Sequence, residues 1–368
     1  MPMMQKLTGA ALVLLVALAL VSGCLGEEAA EPEEVPEPEP VFEGEKKSSA
    51  VIDHDYELPE LIRRPDFIED ETGLDSRVLV STGSMWATLT PEGEFLNLLQ
   101  AEEIYGDYPV PSPDGRRFVA YGDLEGWNVP WRFLFLGDLQ TGEIEEVLYD
   151  PGVFYDYPAT WSPDGNKIIL TGIENRDNWK VNIYYVDFEA RTSGVFLDVE
   201  ELGFYDNAVE SCAMHPFKNI LYIIGWQVGA DRYGLYAYDL DQENLERVAF
   251  LYENYAYHVA VSPDGSLLAV TAGDGISEER LETFGLYLID AATGDQELLF
   301  WEEGLQAVMS TFSPDGTELL ICTDTRIIDN TWTIYRCDLI SGRGEVWIRQ
   351  KYDSGFDPFS PGWTVIPR

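Results

Sequence analysis

The chain has 368 residues, 45% of them hydrophobic and 13% aromatic, enough to bury the core of one large domain or two ordinary ones. It carries 66 acidic against 23 basic residues, a formal net charge of −43. That balance argues against nucleic acid and anionic headgroups, which need Lys and Arg to neutralise phosphate, and fits solubility in salty medium, a cationic partner or Ca²⁺.

The first element in chain order is an export signal. Lys6 supplies a positive start, and Ala10–Val21 is an apolar run. The run is short for a membrane span and has the proportions of a signal-peptide core. It ends in Val21-Ser22-Gly23-Cys24, a tetrad that resembles a lipoprotein signal. Cleavage would leave Cys24 as an acylated N-terminus on the outer face of a membrane, with residues 1–23 removed. An ordinary secretory signal with an incidental Cys24 is the other reading.

Residues 24–50 read as a stalk. "EPEEVPEPEP" combines proline, which removes backbone donors, with Glu, which repels itself, so the segment should be extended and disordered. Residues 51–76 mix apolar side chains with Pro59 and Pro65 and read as an irregular strap.

From residue 77 to residue 368 the chain repeats. Ser-Pro-Asp-Gly occurs at Ser112–Gly115, Ser162–Gly165, Ser262–Gly265 and Ser313–Gly316. Neighbouring copies lie 50 or 51 positions apart, and the middle gap of 100 holds a degenerate copy, Cys212–Gly225, with Pro216 at the turn. Each copy runs apolar residue, turn, apolar strand, loop, a second apolar strand ending in Asp, a further turn and a last strand. Those Asp residues are Asp138, Asp187, Asp239, Asp290 and Asp338. Four short strands at this period build a β-propeller blade.

Five complete blades are expected, beginning near Tyr108, Tyr157, Ala208, Tyr257 and Gln306. Residues 77–100 and the C-terminal "GFDPFSPGWTVIPR" supply parts of a sixth, with Ser360-Pro361-Gly362 read as a truncated turn. Joining them closes the ring and pairs strand edges that would otherwise be exposed. Which of "WTVIP" and "RVLVS" forms the second strand of that blade stays open. The expectation is an all-β, six-bladed propeller closed by terminal strands sharing one blade.

The repeated tetrapeptide, the Asp-ended strands and the Thr-Gly turns resemble the TolB-type, WD-repeat-like propellers over about residues 77–368. The resemblance implies a propeller, not one activity. TolB proteins carry an α/β domain before the propeller, for which the stalk and strap are too short. Prolyl-peptidase relatives add a hydrolase domain, which has no counterpart here.

Catalytic signatures are missing. There is no Gly-Xaa-Ser-Xaa-Gly elbow, zincin motif, Walker loop or EF-hand, and no cofactor beyond Ca²⁺ is suggested. Of three histidines, His54 lies between Asp53 and Asp55, where it could touch a metal but reads better as a chance neighbour, and His215 replaces a turn serine. Cys322 and Cys337 would face each other if Asp329-Asn330 formed a two-residue turn. A cross-strand disulfide and two buried free thiols are both open; Cys212 has no evident partner.

Function is expected opposite the tetrapeptide turns, where loops vary in length and chemistry. There Tyr105, Asp107, Tyr108, Tyr155, Asp156, Tyr157, Tyr205, Asp206, Tyr255, Tyr257 and His258 form a collar, joined by loop residues Trp127, Trp179 and Trp226. Tyr and Trp give contact area with a polar handle. The leading expectation is a tethered, non-enzymatic module for a protein or peptide. The alternative is a glycan-binding or carbohydrate-active propeller using paired carboxylates.

Overall fold

The computed structural model describes residues 51–53, 76–81, 86–99, 104–124, 133–139, 141–147, 154–155, 158–173, 180–251, 255–273, 284–301, 306–324, 331–351 and 359–365. The chain divides into compact units 1–43 and 44–368, and every described residue belongs to the second. The expected signal, Cys24, the stalk and strap residues 54–75 lie outside the described residues.

The described residues form strands and turns arranged as six antiparallel four-stranded blades. The innermost strands of blades 1 to 5 begin at Ile104, Phe154, Phe204, Tyr255 and Gln306, up to four residues earlier than the sequence suggests for each. In blade 2 the innermost strand is split into Phe154–Tyr155 and Thr160–Trp161. Blades 4 and 5 touch through one parallel bridge, Phe284 to Gln306.

Blade 6 joins the two ends of the propeller. Phe359–Val365 is its innermost strand, followed outward by Ser76–Ser81, Trp86–Leu89 and Phe95–Leu99. "RVLVS" is therefore the second strand. Ser360-Pro361-Gly362 is not a turn, because it lies within Phe359–Val365 and Gly362 pairs with Leu79. Val51–Asp53 adds a short parallel strand to the outer edge of blade 5, along Arg343–Glu345.

The apolar runs are long because a propeller blade is covered on both faces. Successive residues of each second strand point to opposite neighbours. Ile168 and Leu170 pack against blade 1 around Val119 and Leu134, while Ile169 joins Cys212 and Ile223 of blade 3. Leu268 and Val270 face blade 3, and Ala269 faces Phe312 and Ile321 of blade 5. Two further clusters seal blade 5 to blade 6 around Met309 and Trp363, and blade 6 to blade 1 around Trp86 and Phe118. Each of the six junctions thus has its own core, at about 25 cal/mol per Å² of apolar surface buried.

Both sequence motifs are turn chemistry. In each intact tetrapeptide the Ser hydroxyl donates to the Asp carboxylate at 2.6–2.7 Å and accepts the N–H five residues on. The Gly N–H closes the turn onto the Ser carbonyl, at a φ between 67° and 74° that favours glycine. The Ser162 hydroxyl and the Asn166 N–H hold the Asp164 carboxyl below its usual range. In blades 1 to 5 the Asp at the end of the third strand accepts backbone N–H groups two or three residues ahead, as Asp290 does from Ala292 and Thr293.

No disulfide joins Cys322 and Cys337. Cys322 pairs with Ile334 and Cys337 with Leu319, so the register differs by three residues from that of a two-residue turn. Cys337 sits between blades 4 and 5 and Cys322 between blades 5 and 6. Both are buried free thiols, as is Cys212, and burial pushes the Cys212 and Cys337 thiols up to about 12.

Candidate functional site

Each innermost strand enters at the end opposite the tetrapeptide turns and breaks its register before reaching the turn. Blade 4 skips only Tyr257. Blade 3 departs most: Phe204 pairs with Gln227 and Val209 with Gly225, so Tyr205, Asp206 and Asn207 leave the ladder and stand exposed. A bulge re-aims side chains without ending the strand. Here it lifts a Tyr-Asp-Asn tripeptide out of the sheet.

The lifted Tyr205 begins a chain of rings. It meets Trp226 edge-on at 6.0 Å between centroids. Trp226 lies 5.7 Å from Tyr233, and Tyr233 lies 5.4 Å from Tyr255 on blade 4. Tyr255 touches both Tyr257 at 5.6 Å and Phe284 at 6.3 Å. The two outer rungs are open, Tyr205 at 43% and Tyr257 at 37% of full exposure, while Tyr233 and Phe284 are buried beneath them. Ring pairs of this geometry contribute about 0.5–1.5 kcal/mol each beyond their buried area.

Polar groups fix the ladder from below. Trp226 Nε1 donates to the Ala230 carbonyl at 2.8 Å. Tyr233 Oη donates to Glu210 Oε1 at 2.8 Å, in a buried position. Burial first, then the Glu210 charge, raises the Tyr233 phenol, which stays a donor. Glu210 and Phe284 are absent from the residues picked by sequence. The signal for Glu210 was available: it is an acid in the strand "NAVESCAM", where the residues around it are buried.

The structure sorts the expected collar. Tyr205, Asp206, Trp226, Tyr255 and Tyr257 gather on the ladder face. Tyr108, at a φ of 53°, turns into the junctions instead and meets Tyr121 edge-on at 6.3 Å. His258 lies in the wall of the axial channel, 6% exposed. Tyr105, Asp107 and Tyr155 lie on strands with side chains outside the described residues, and Asp156, Tyr157, Trp127 and Trp179 lie outside them altogether.

The channel is a cavity of about 160 Å³ to which all six innermost strands contribute, from Pro109 and Pro158 around to Pro361. Small residues let the strands converge: a Cβ on Gly362 would lie 2.4 Å from the Pro109 carbonyl oxygen. His258 Nδ1 and Ser310 Oγ have no hydrogen-bond partner among the described residues. Burial pushes the His258 imidazole down to about 4. Among the described residues no three His, Cys, Asp or Glu side chains gather to hold a metal ion.

With this geometry in hand, comparison with known proteins identifies the scaffold. The chain superposes on TolB from Acinetobacter baumannii with a TM-score of 0.59 at 16% identity, covering 80% of this chain and 68% of that one. The fold is a TolB-like β-propeller. A structure assigned to TolB from Agrobacterium tumefaciens gives 0.54 at 14% identity, over 80% and 100%. A chain of the nidogen/laminin complex gives 0.55 at 12%, over 78% and 98%. No family model and no curated protein matches the sequence. At such identities the TolB-like label describes the scaffold, and the ladder must be judged on its own residues.

Proposed function

We propose that this TolB-like propeller is an extracytoplasmic module, anchored by lipid on Cys24, that binds a protein or peptide on its ladder face. The observation that carries the reading is the continuous run of rings from Tyr205 through Trp226, Tyr233 and Tyr255 to Tyr257, open at Tyr205 and Tyr257 and braced from below by the Tyr233–Glu210 bond. Rigid aromatic side chains bury area at low entropic loss, and such anchors supply most of the energy of protein interfaces. The acidic Asp206 beside them and the charge of −43 favour a partner with basic residues.

The test is site-specific photo-crosslinking in intact cells. A photoreactive phenylalanine replaces Tyr205 or Tyr257 and, as the opposite-face control, Asn166. The reading requires a discrete protein adduct from the first two and none from the third. Equal labelling from both faces, or none, overturns it. If Tyr205→Ala impairs glycan binding or depolymerisation instead, the ladder serves the carbohydrate alternative. Anchoring has its own readout: Cys24→Ser should release the protein from membranes.

A further inference from the structure

The register break in blade 3 leaves three kinds of surface open at one end of the ladder. Tyr205 is 43% exposed, and its ring stands at 86° to that of Trp226. A ring perpendicular to its neighbour keeps at least one face clear of it. Asp206, the next residue, is exposed and takes part in no ion pair or hydrogen bond among the described residues. Val228 is 61% exposed and tied to the same strand entry, its N–H donating to the Gly203 carbonyl at 2.8 Å. An open ring, a free carboxylate and an apolar ledge thus share the Tyr205 end.

The charges around them favour a cation. The buried Glu210 carboxylate is engaged by the Tyr233 hydroxyl beneath the rings. Arg232, in the loop that carries Val228, is held by Asp231 through Nε at 3.2 Å and Nη2 at 3.0 Å. Asp206 is left without such a counter-charge, on a chain whose net charge of −43 draws cations toward its surface.

The ring spacing decides which cation fits. A quaternary ammonium is held by several ring faces turned inward around an empty space. Here Trp226, Tyr233 and Tyr255 follow one another at 5.7 and 5.4 Å between centroids, and the rings fill that space with each other. What stays open is a single face beside a carboxylate. A guanidinium suits that arrangement, because it is flat, stacks on one ring and gives two parallel N–H bonds to one carboxylate. The chain itself makes the stacked pair elsewhere: Arg247 lies 3.5 Å over Phe250, and Arg117 lies 5.5 Å over Trp161.

We infer that Tyr205, Asp206 and Val228 form the seat of an arginine side chain from the docking partner. The guanidinium stacks on Tyr205 and donates to Asp206, and the methylene stem lies along Val228. The inference rests on the proposed docking face and names its anchor.

The probe is the peptide acetyl-Gly-Arg-Gly-amide, with citrulline and lysine peptides as controls. Citrulline keeps the shape of arginine without its charge, and lysine keeps the charge without the flat fork. Binding is read from the backbone amide resonances of Tyr205, Asp206, Asn207 and Val228. A ligand this small should bind in the millimolar range. The arginine peptide should shift these resonances, and both controls should bind about threefold more weakly or worse. Asp206→Asn and Tyr205→Leu should each weaken binding about two- to fivefold, and Tyr205→Phe should retain it. Both side chains are exposed, so unfolding midpoints equal to the parent's exclude misfolding. No binding of the arginine peptide, equal binding of either control, or unchanged affinity in Asp206→Asn or Tyr205→Leu would each overturn the seat. The two readings fail separately: a crosslinked partner with no arginine preference removes the anchor alone, whereas arginine binding without any adduct in cells removes the docking reading and leaves the seat.

Discussion

His258 gives the propeller one buried group whose protonation lowers stability in acid. Its folded pKa is about 4 against the ordinary 6.5, because burial disfavours the imidazolium. The folded value is the lower one, so the unfolded chain binds the proton first. The group leaves stability intact above about pH 6.5 and removes it progressively as pH falls toward 4. The whole gap is worth about 3 kcal/mol, of which about 2.5 kcal/mol should be gone by about pH 4.5. Protonation of the many carboxylates changes stability over the same range, so the quantity to measure is a difference. Urea unfolding of the parent and of His258→Leu, at steps from about pH 7 to about pH 4.5, isolates the imidazole. His258→Asn serves as a second non-titrating variant should leucine perturb the packing. The stability difference between parent and variant should swing by about 2.5 kcal/mol in favour of the variant as pH falls. Parallel profiles would refute the reasoning, and would mean that water in the channel solvates the charged ring.

Other perturbations test the scaffold and the ladder. Gly362→Ala should destabilise the ring by about 2 kcal/mol or more, because the new Cβ meets the Pro109 carbonyl oxygen rather than a movable side chain; calorimetry gives the answer. Tyr233→Phe removes the buried donor of Glu210 and should cost about 1.5–3 kcal/mol in denaturant unfolding, with little change if the bond is dispensable. Ser162→Ala should cost about 1 kcal/mol, the net worth of its turn hydrogen bonds, in the same assay. The buried thiols Cys212, Cys322 and Cys337 should resist maleimide in the native protein and all react after unfolding; a thiol count that rises with reductant would contradict their free state.

Much of the fold could be read because turns are local. A Ser-Pro-Asp-Gly turn is specified by adjacent residues, so its spacing counts blades without knowledge of tertiary contacts. The order of strands in blade 6 could not be counted that way. It depends on pairing between residues from opposite ends of the propeller, such as Trp363 with Val78, and no local turn joins them. The cysteine register failed for a related reason: Cys322 pairs with Ile334 and Cys337 with Leu319, an alignment set by whole strands rather than by the "DN" dipeptide. At the site, sequence located the aromatic end of the strands but not which rings would meet. Tyr108 and Tyr257 occupy similar places in the repeat, yet a positive φ sends the first into the core while a one-residue bulge leaves the second exposed. Such choices follow from backbone detail that composition does not encode. The broken tetrapeptide was visible in the sequence, but what holds its turn was not: His215 Nδ1 accepts the N–H groups of Phe217 and Lys218 in place of the serine and aspartate oxygens.

The shared sixth blade also has a consequence for biogenesis. Its inner strand, Phe359–Val365, comes from the last stretch of the propeller to be made, and its partner, Ser76–Ser81, from the first. A chain moving head-first out of a ribosome or an export pore can assemble blades 1 to 5 in sequence. Meanwhile Val78, Val80 and Leu89 wait without the Trp363 they will pack against. Until the tail arrives, the leading end presents an open strand edge of the kind that recruits other chains. A chain stopped short of residue 359 would therefore leave the edge at Ser76–Ser81 without its partner strand.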